Sequence, residues 1–255
     1  MNIIMDLLFS QYQLFLLVFI RTSGIFIFSP FFSSQNIPNI MKIGLSFSIS
    51  LIITSSLQIS SVSSNEILIL LIIKELLVGI IIGFISYAFF SAFYVMGQII
   101  DMKIGFGMVN VIDPQNRIQV PLMGNFYYIL SFLLLMSING HHLIISALVD
   151  SYKFLPIGGF KYTGETVNIL INILSKSFEI GFKLSTPIVA IIFLTDVVLG
   201  IISKTIPQMN VFVVGMPLKV LIGLIIIIIS MPIFFTAASG IFDLIINDIY
   251  KFIKT

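Results

Sequence analysis

Apolar residues occur along this chain in long runs separated by short polar connectors. The runs cover residues 12–32, 43–62, 67–100, 121–149, 166–202 and 209–246. A helix that crosses the hydrocarbon core of a membrane needs about 20 apolar residues, so the first two runs each fit one span. The third run is too long for one upright helix, and it predicts either one long tilted helix or two shorter ones.

The last two runs are also longer than one span, and prolines lie inside them. Pro187 is in the fifth run, and Pro217 and Pro232 are in the sixth. Because proline lacks a backbone N–H and clashes with the preceding turn, it kinks or ends a helix. We therefore predict an all-α protein of the integral membrane type, with six to eight helices, several of them discontinuous.

The connectors between the runs are too short to join separate soluble domains. The longest runs from Gly105 to Pro121, and a glycine-rich connector runs from Pro156 to Gly164. No internal repeat of fixed period is evident. The chain is therefore predicted to form one domain over residues 1–255.

The composition excludes several classes of protein. Apolar residues make up 58% of the 255 residues, charged residues only 9%, and the mean hydropathy is +1.14. A soluble domain has about 25% charged residues, and a disordered chain has low hydrophobicity, so neither class fits. The formal charge of +2 gives little support for nucleic-acid binding, and the absence of cysteine excludes thiolate metal sites.

Basic residues give no clear membrane orientation. Lysine or arginine occurs in nearly every connector, from Lys42 to Lys219, whereas the cytoplasmic loops of a simple membrane protein carry most of them. Either the topology is irregular, or much of the apolar surface faces protein rather than lipid.

Four charged residues interrupt the apolar runs: Arg21, the adjacent pair Lys74 and Glu75, and Asp196. Each charge costs about 2.5–3.5 kcal/mol at the centre of a bilayer on insertion scales, so each must be paired, hydrated or buried against protein. One interpretation is a site of conduction or coupling, as in a stand-alone secondary transporter. The other is a structural ion pair. Neighbours such as Lys74 and Glu75 point about 100° apart on a helix and need separate partners.

Gly79 and Gly83 form a small-xxx-small motif, which allows two helices to approach closely. The pattern fits packing within the chain and packing against a partner equally well.

Candidate chemistry beyond these features is sparse. His141 and His142 do not share a helix face, and no other histidine exists, so a helix end or loop explains them better than a metal site. Asp113 has no second carboxylate or activated nucleophile beside it in sequence. We therefore predict neither catalysis nor a cofactor.

The connector from Gly105 to Pro121 carries apolar residues within a polar segment. Gly105 and Gly107 permit unusual backbone angles, and Phe106, Met108 and Val111 are apolar. A hydrophobic constriction can block water and ions until it is displaced. The composition fits a plug that is inserted into a pore or a re-entrant turn that is packed within the chain.

Five segments resemble the FliR family, the export-gate subunits of flagella and injectisomes. They are RTSGIFIFSPFFSSQNIPNIMKIGLS (21–46), KELLVGIIIGF (74–84), GQIIDMKIGFGMVNVIDPQNRIQVP (97–121), NGHHLIISALVDSYKFLPIG (139–158) and PQMNVFVVGMPLKVLIGL (207–224). Each segment alone is moderately specific for the family, and the order and spacing of all five make the resemblance strong. The resemblance extends over essentially the whole chain.

The resemblance implies stacked helical hairpins in a type III secretion gate, assembled with FliP, FliQ and FlhB. Such a gate would conduct unfolded flagellar proteins through the bacterial inner membrane at the flagellar basal body. Some relatives are fused to FlhB, and no such fusion is expected here. The connector from Gly105 to Pro121 would be the pore plug, with Gly105, Phe106, Gly107, Met108 and Val111 at the constriction.

One departure from the family lies at the base of this connector. Asp101 and Lys103 stand where the family usually has glycine and glutamine. The exchange suggests either altered packing at the base of the plug or a compensating pair.

Overall fold

The computed structural model describes residues 2–30, 32–33, 37–57, 67–106, 121–206 and 210–254, with side chains omitted for residues 2–9, 211 and 212. Within these ranges the regular structure is helical, as predicted. The helices are α1 (Asn2–Phe28), α2 (Asn39–Ser56), α3 (Leu68–Ile104), α4 (Leu122–Ser137), α5 (Gly140–Phe154), α6 (Gly164–Thr205) and α7 (Val211–Ile253).

Three of the helices are far longer than a membrane span. The third apolar run forms one helix of 37 residues, and α6 and α7 have 42 and 43 residues. At 1.5 Å per residue α6 is about 63 Å long, twice the hydrocarbon thickness of about 30 Å. In the described part of the chain, five helices are long and apolar enough to cross a membrane, or six spans if α4 and α5 count together.

The predicted breaks at the prolines are wrong. Pro187 lies inside α6, and Pro217 and Pro232 lie inside α7, with helix on both sides. One proline removes one backbone hydrogen bond, and long apolar helices tolerate that loss.

The break occurs instead in the fourth apolar run. Helices α4 and α5 meet at an angle of 70° across Ile138 and Asn139. Asn139 has a φ of 56°, and asparagine is among the few residues that tolerate this left-handed conformation. His141 and His142 consequently lie in the first turn of α5, the helix end that the sequence predicts for them.

The chain divides into two compact units. The first comprises Met1–Ala88, Asn139–Ile173 and Leu244–Thr255, and the second comprises Phe89–Ile138 and Leu174–Asp243. The single domain over residues 1–255 stays a prediction.

In the first unit, α1 is held by a buried stripe. Leu14, Leu17, Val18 and Ile25 are at most 4% exposed, and their spacing of three, one and seven residues keeps them on one face of a helix. That face packs against α3 and α5, as the contacts of Arg21 described below show.

In the second unit, aromatic rings join three helices. Phe93 of α3 and Tyr127 of α4 both contact Phe234 of α7, with ring centroids 5.7 and 5.0 Å apart. Phe90 contacts Phe242 at 5.6 Å. Such edge and tilted ring contacts add about 0.5–1.5 kcal/mol to the burial of apolar area, so they fix α4 and α7 against the last part of α3.

Candidate functional site

The charge of Arg21 is enclosed completely within the first unit. Its side chain is 0% exposed, and Nε donates to Oε2 of Glu75 at 2.6 Å. Nη1 donates to Oγ of Ser151 at 2.9 Å, and both terminal nitrogens donate to the carbonyl of Leu155 at 3.1 Å. The guanidinium carbon lies 4.2 Å from the ring centroid of Tyr152. One side chain of α1 therefore holds α3, α5 and the residue that follows α5.

The partners of Lys74 and Glu75 meet at one glycine. Oε1 of Glu75 accepts a hydrogen bond from the N–H of Gly158 at 2.9 Å, and Nζ of Lys74 donates to the carbonyl of the same residue at 3.2 Å. Gly158 has a φ of 77°, and a Cβ atom there would lie 2.6 Å from Cδ2 of Leu71. Only glycine combines that backbone conformation with so close an approach.

These contacts form what we call the Arg21 network: Arg21, Lys74, Glu75, Ser151 and the backbone of Leu155 and Gly158. A buried arginine is tolerated when a carboxylate neutralises it and its N–H groups are bonded. A transporter that used these charges for a ligand would need them to face a cavity. Arg21 and Glu75 face the protein's own backbone and side chains instead, which is the arrangement of a structural ion pair.

Asp196, the fourth charge in the apolar runs, is paired but only partly buried. Its side chain is 37% exposed and forms an ion pair with Lys219 of α7, which is 25% exposed. Both residues line a groove of about 350 Å³ in the second unit, together with Met102, Lys103 and Gly105 at the end of α3. Asp196 stays partly accessible because the groove opens beside it.

The small-xxx-small motif packs within the chain. A Cβ atom on Gly79 would lie 2.1 Å from the carbonyl oxygen of Arg21, and one on Gly24 would lie 3.0 Å from the backbone of Gly79. Gly83, one turn further, would meet Cβ of Phe28 at 3.0 Å. Because Glu75, Gly79 and Gly83 are spaced by four residues, one face of α3 carries both the glycine contact and the carboxylate that Arg21 needs.

The structure describes the start of the proposed plug connector. Gly105 has a φ of 101°, and its N–H donates to the carbonyl of Asp101 at 3.1 Å. This left-handed residue ends α3, as glycine commonly does after a helix. Phe106 follows and is half-buried. Gly107, Met108 and Val111 lie outside the described residues.

Asp101 has a role that the sequence did not reveal. Its carboxylate is 5% exposed and accepts hydrogen bonds from the backbone N–H groups of Met123 and Gly124, the first at 3.0 Å to each oxygen and the second at 3.3 Å. The carboxylate is thus used by the first turn of α4 and not by Lys103, whose side chain is exposed. The only signal in the sequence is that α4 begins after Pro121, which has no side-chain acceptor.

No group of three or more metal-ligating side chains comes together among the residues described. Asp113 lies outside them.

Comparison with known proteins shows which family the chain belongs to. Residues 12–245 match the family described as "Bacterial export proteins, family 1". The chain belongs to this family. Among its relatives is the "Flagellar biosynthetic protein FliR" of Bacillus subtilis (strain 168), which is 38% identical over 251 residues, covering 97% of this chain and 95% of the relative.

Two other relatives of this bacterial export protein are more distant. The "Flagellar biosynthetic protein FliR" of Escherichia coli (strain K12) is 28% identical over 239 residues, 93% of this chain and 92% of the relative. The "Surface presentation of antigens protein SpaR" of Shigella sonnei is 29% identical over 222 residues, 86% of both chains.

Family membership confirms the resemblance to FliR that the sequence segments indicate. The chain is a membrane-embedded member of the flagellar and type III export apparatus, with a role in protein export.

Proposed function

We propose that this chain is a pore-forming subunit of the flagellar type III export gate, which conducts unfolded flagellar proteins outward. It assembles with FliP, FliQ and FlhB in the bacterial inner membrane, at the flagellar basal body. The similarity to FliR over nearly the whole chain supports the flagellar assignment.

The observation that carries this proposal is the apolar surface left uncovered by the chain itself. On α7, Ile228, Ile229 and Ile233 are 64–70% exposed, and on α2 Ile40 is 84% exposed. Exposed apolar surface of this extent is typical of protein interfaces or lipid contact.

One part of α6 favours protein over lipid as the cover. Phe178 and Phe182 are 63% and 66% exposed. Each is followed directly by a charged residue, and these two, Glu179 and Lys183, form an ion pair whose side chains are 58% and 72% exposed. Lipid tails would be a costly environment for the charges, and water would be a poor one for the rings. A partner protein can meet both requirements.

The first test is the behaviour of the chain with and without a partner. Expressed alone and solubilised in detergent, the chain should aggregate, because its apolar faces lack their cover. Expressed with FliP, it should elute from size-exclusion chromatography as one stable complex of fixed stoichiometry. Two variants test this surface. Phe182→Ala on the exposed face of α6 should weaken the complex, whereas Tyr162→Ala, which removes a 76% exposed ring from the connector before α6, should not. A monodisperse chain that stays folded without any partner and binds a small solute would contradict the proposal.

The connector from Gly105 to Pro121 is proposed to seal the channel, with Phe106, Met108 and Val111 at the constriction. Deleting residues 106–112 should make the assembled gate permeable to ions, because the apolar barrier to water is removed. The measurement is the conductance of the purified complex in planar bilayers.

A variant of equal length separates the apolar side chains from the length of the connector. Replacing residues 106–112 with seven alternating glycines and serines should leak as the deletion does. If both variants conduct no more than the unmodified gate, the connector is not the seal.

A further inference from the structure

Two glycines bring the last part of α3 and the start of α4 into backbone contact. A Cβ atom on Gly97 would lie 2.4 Å from the Cα and N atoms of Gly124. No larger residue fits at Gly97 unless the helices separate, because the obstructing atoms are backbone. The first turn of α4 is therefore held directly against α3, inside the second unit.

Asp101 lies one turn beyond Gly97 on the same face of α3, since residues four apart lie above one another on a helix. The close approach at Gly97 brings the Asp101 carboxylate to the N–H groups of Met123 and Gly124. These are the second and third residues of α4, and they are the N–H groups that an N-cap side chain normally satisfies.

The residue at the N-cap position of α4 cannot make these bonds. It is Pro121, which makes no capping hydrogen bond through its side chain. Asp101 supplies the cap from 22 residues before Met123, and its negative charge suits the positive end of the helix dipole. The same residue accepts, through its backbone carbonyl, the N–H of Gly105, where the chain leaves α3.

We propose that Asp101 is a positioning residue that holds the end of α3 beside the start of α4 and thereby fixes the two ends of the connector between these helices. The effect on conductance rests on the plug assignment made above, whereas the effect on the distance between the two ends does not.

The distance between the ends can be measured by placing one spin label on each. Met102 and Leu122 are 69% and 56% exposed and flank the capped contact, and the chain has no cysteine of its own. With Met102→Cys and Leu122→Cys labelled in the gate complex, pulsed electron spin resonance should give one narrow distance distribution. Adding Asp101→Ala should increase the population at longer distances about fivefold, the factor that corresponds to losing one N-cap.

A conservative replacement distinguishes capping from charge. Asparagine caps helices about as well as aspartate, so Asp101→Asn should retain the narrow distribution, whereas alanine should not. Asp243→Ala, which removes an exposed carboxylate of α7 in the same unit, should leave the distribution unchanged. An unchanged distribution in Asp101→Ala, or equal broadening in the asparagine and alanine variants, would overturn the proposal.

The conductance of the same complexes tests the plug assignment and the positioning role of Asp101 separately. Asp101→Ala should raise the ion leak about fivefold over that of the unmodified gate. This leak should remain smaller than that of the variant in which residues 106–112 are deleted. If the deletion leaks and Asp101→Ala does not, the positioning role is wrong and the plug stands. If the deletion does not leak but the label distances change as expected, the plug is wrong and the capping contact stands.

Discussion

Replacing Glu75 by glutamine should remove about 3–5 kcal/mol from the free energy of unfolding of the chain, the usual effect of breaking a buried ion pair. Both Arg21 and Glu75 are 0% exposed and their side chains lie 2.6 Å apart. Glutamine can still accept the N–H of Gly158, but it leaves the guanidinium charge buried and uncompensated. Chemical denaturation of the detergent-solubilised gate complex measures the loss, and the amount of chain that accumulates in the membrane should fall with it.

An exposed carboxylate elsewhere provides the control. Asp243 of α7 is exposed, so Asp243→Asn leaves no buried charge without its partner and should change stability little. The double variant Arg21→Met, Glu75→Leu should lose less than the two single variants added together, because neither charge is then left alone. Equal effects at Glu75 and Asp243 would show that burial of the Arg21 network does not matter.

The length of the apolar runs predicted the number of helices, but not where the helices break. Prolines predict breaks from local chemistry, but α6 and α7 continue through theirs, because one lost backbone hydrogen bond is a small part of helices of 42 and 43 residues. The break at Asn139 had a signal, since asparagine followed by glycine favours a left-handed residue and a new helix. That signal is weak beside an apolar run of nearly 30 residues.

The charged residues could be identified from the sequence, but their partners could not. A charge in an apolar run must be neutralised, which is a local argument. The groups that bind Arg21 include the hydroxyl of Ser151 and the carbonyl of Leu155, 130 and 134 residues further along. A backbone carbonyl leaves no trace in the sequence, because every residue has one. For Asp101 the same holds, since its partners are backbone N–H groups.

Placing a leucine at Gly79 should prevent the chain from folding into an assembled gate. Even a Cβ atom there would lie 2.1 Å from the carbonyl oxygen of Arg21 and 3.1 Å from the Cα atom of Gly24. Both are backbone atoms of α1, which cannot rotate away as a side chain can, so α1 must move. Overpacking a core costs about 1–3 kcal/mol and occasionally more, and here the displacement also pulls Arg21 away from Glu75. Recovery of the gate complex by affinity purification measures the result.

Alanine variants at matched glycines separate packing from helix propensity. Gly79→Ala should destabilise the complex, although alanine is favoured over glycine within a helix by about 1 kcal/mol. Gly44 in α2 and Gly240 in α7 have open space where a Cβ atom would lie, so alanine there should be neutral or stabilising. The opposite signs are expected because only at Gly79 does the backbone of another helix occupy the space. If Gly79→Ala were as stable as Gly44→Ala, α1 and α3 would not be held by this contact, and the position of Arg21 would need another explanation.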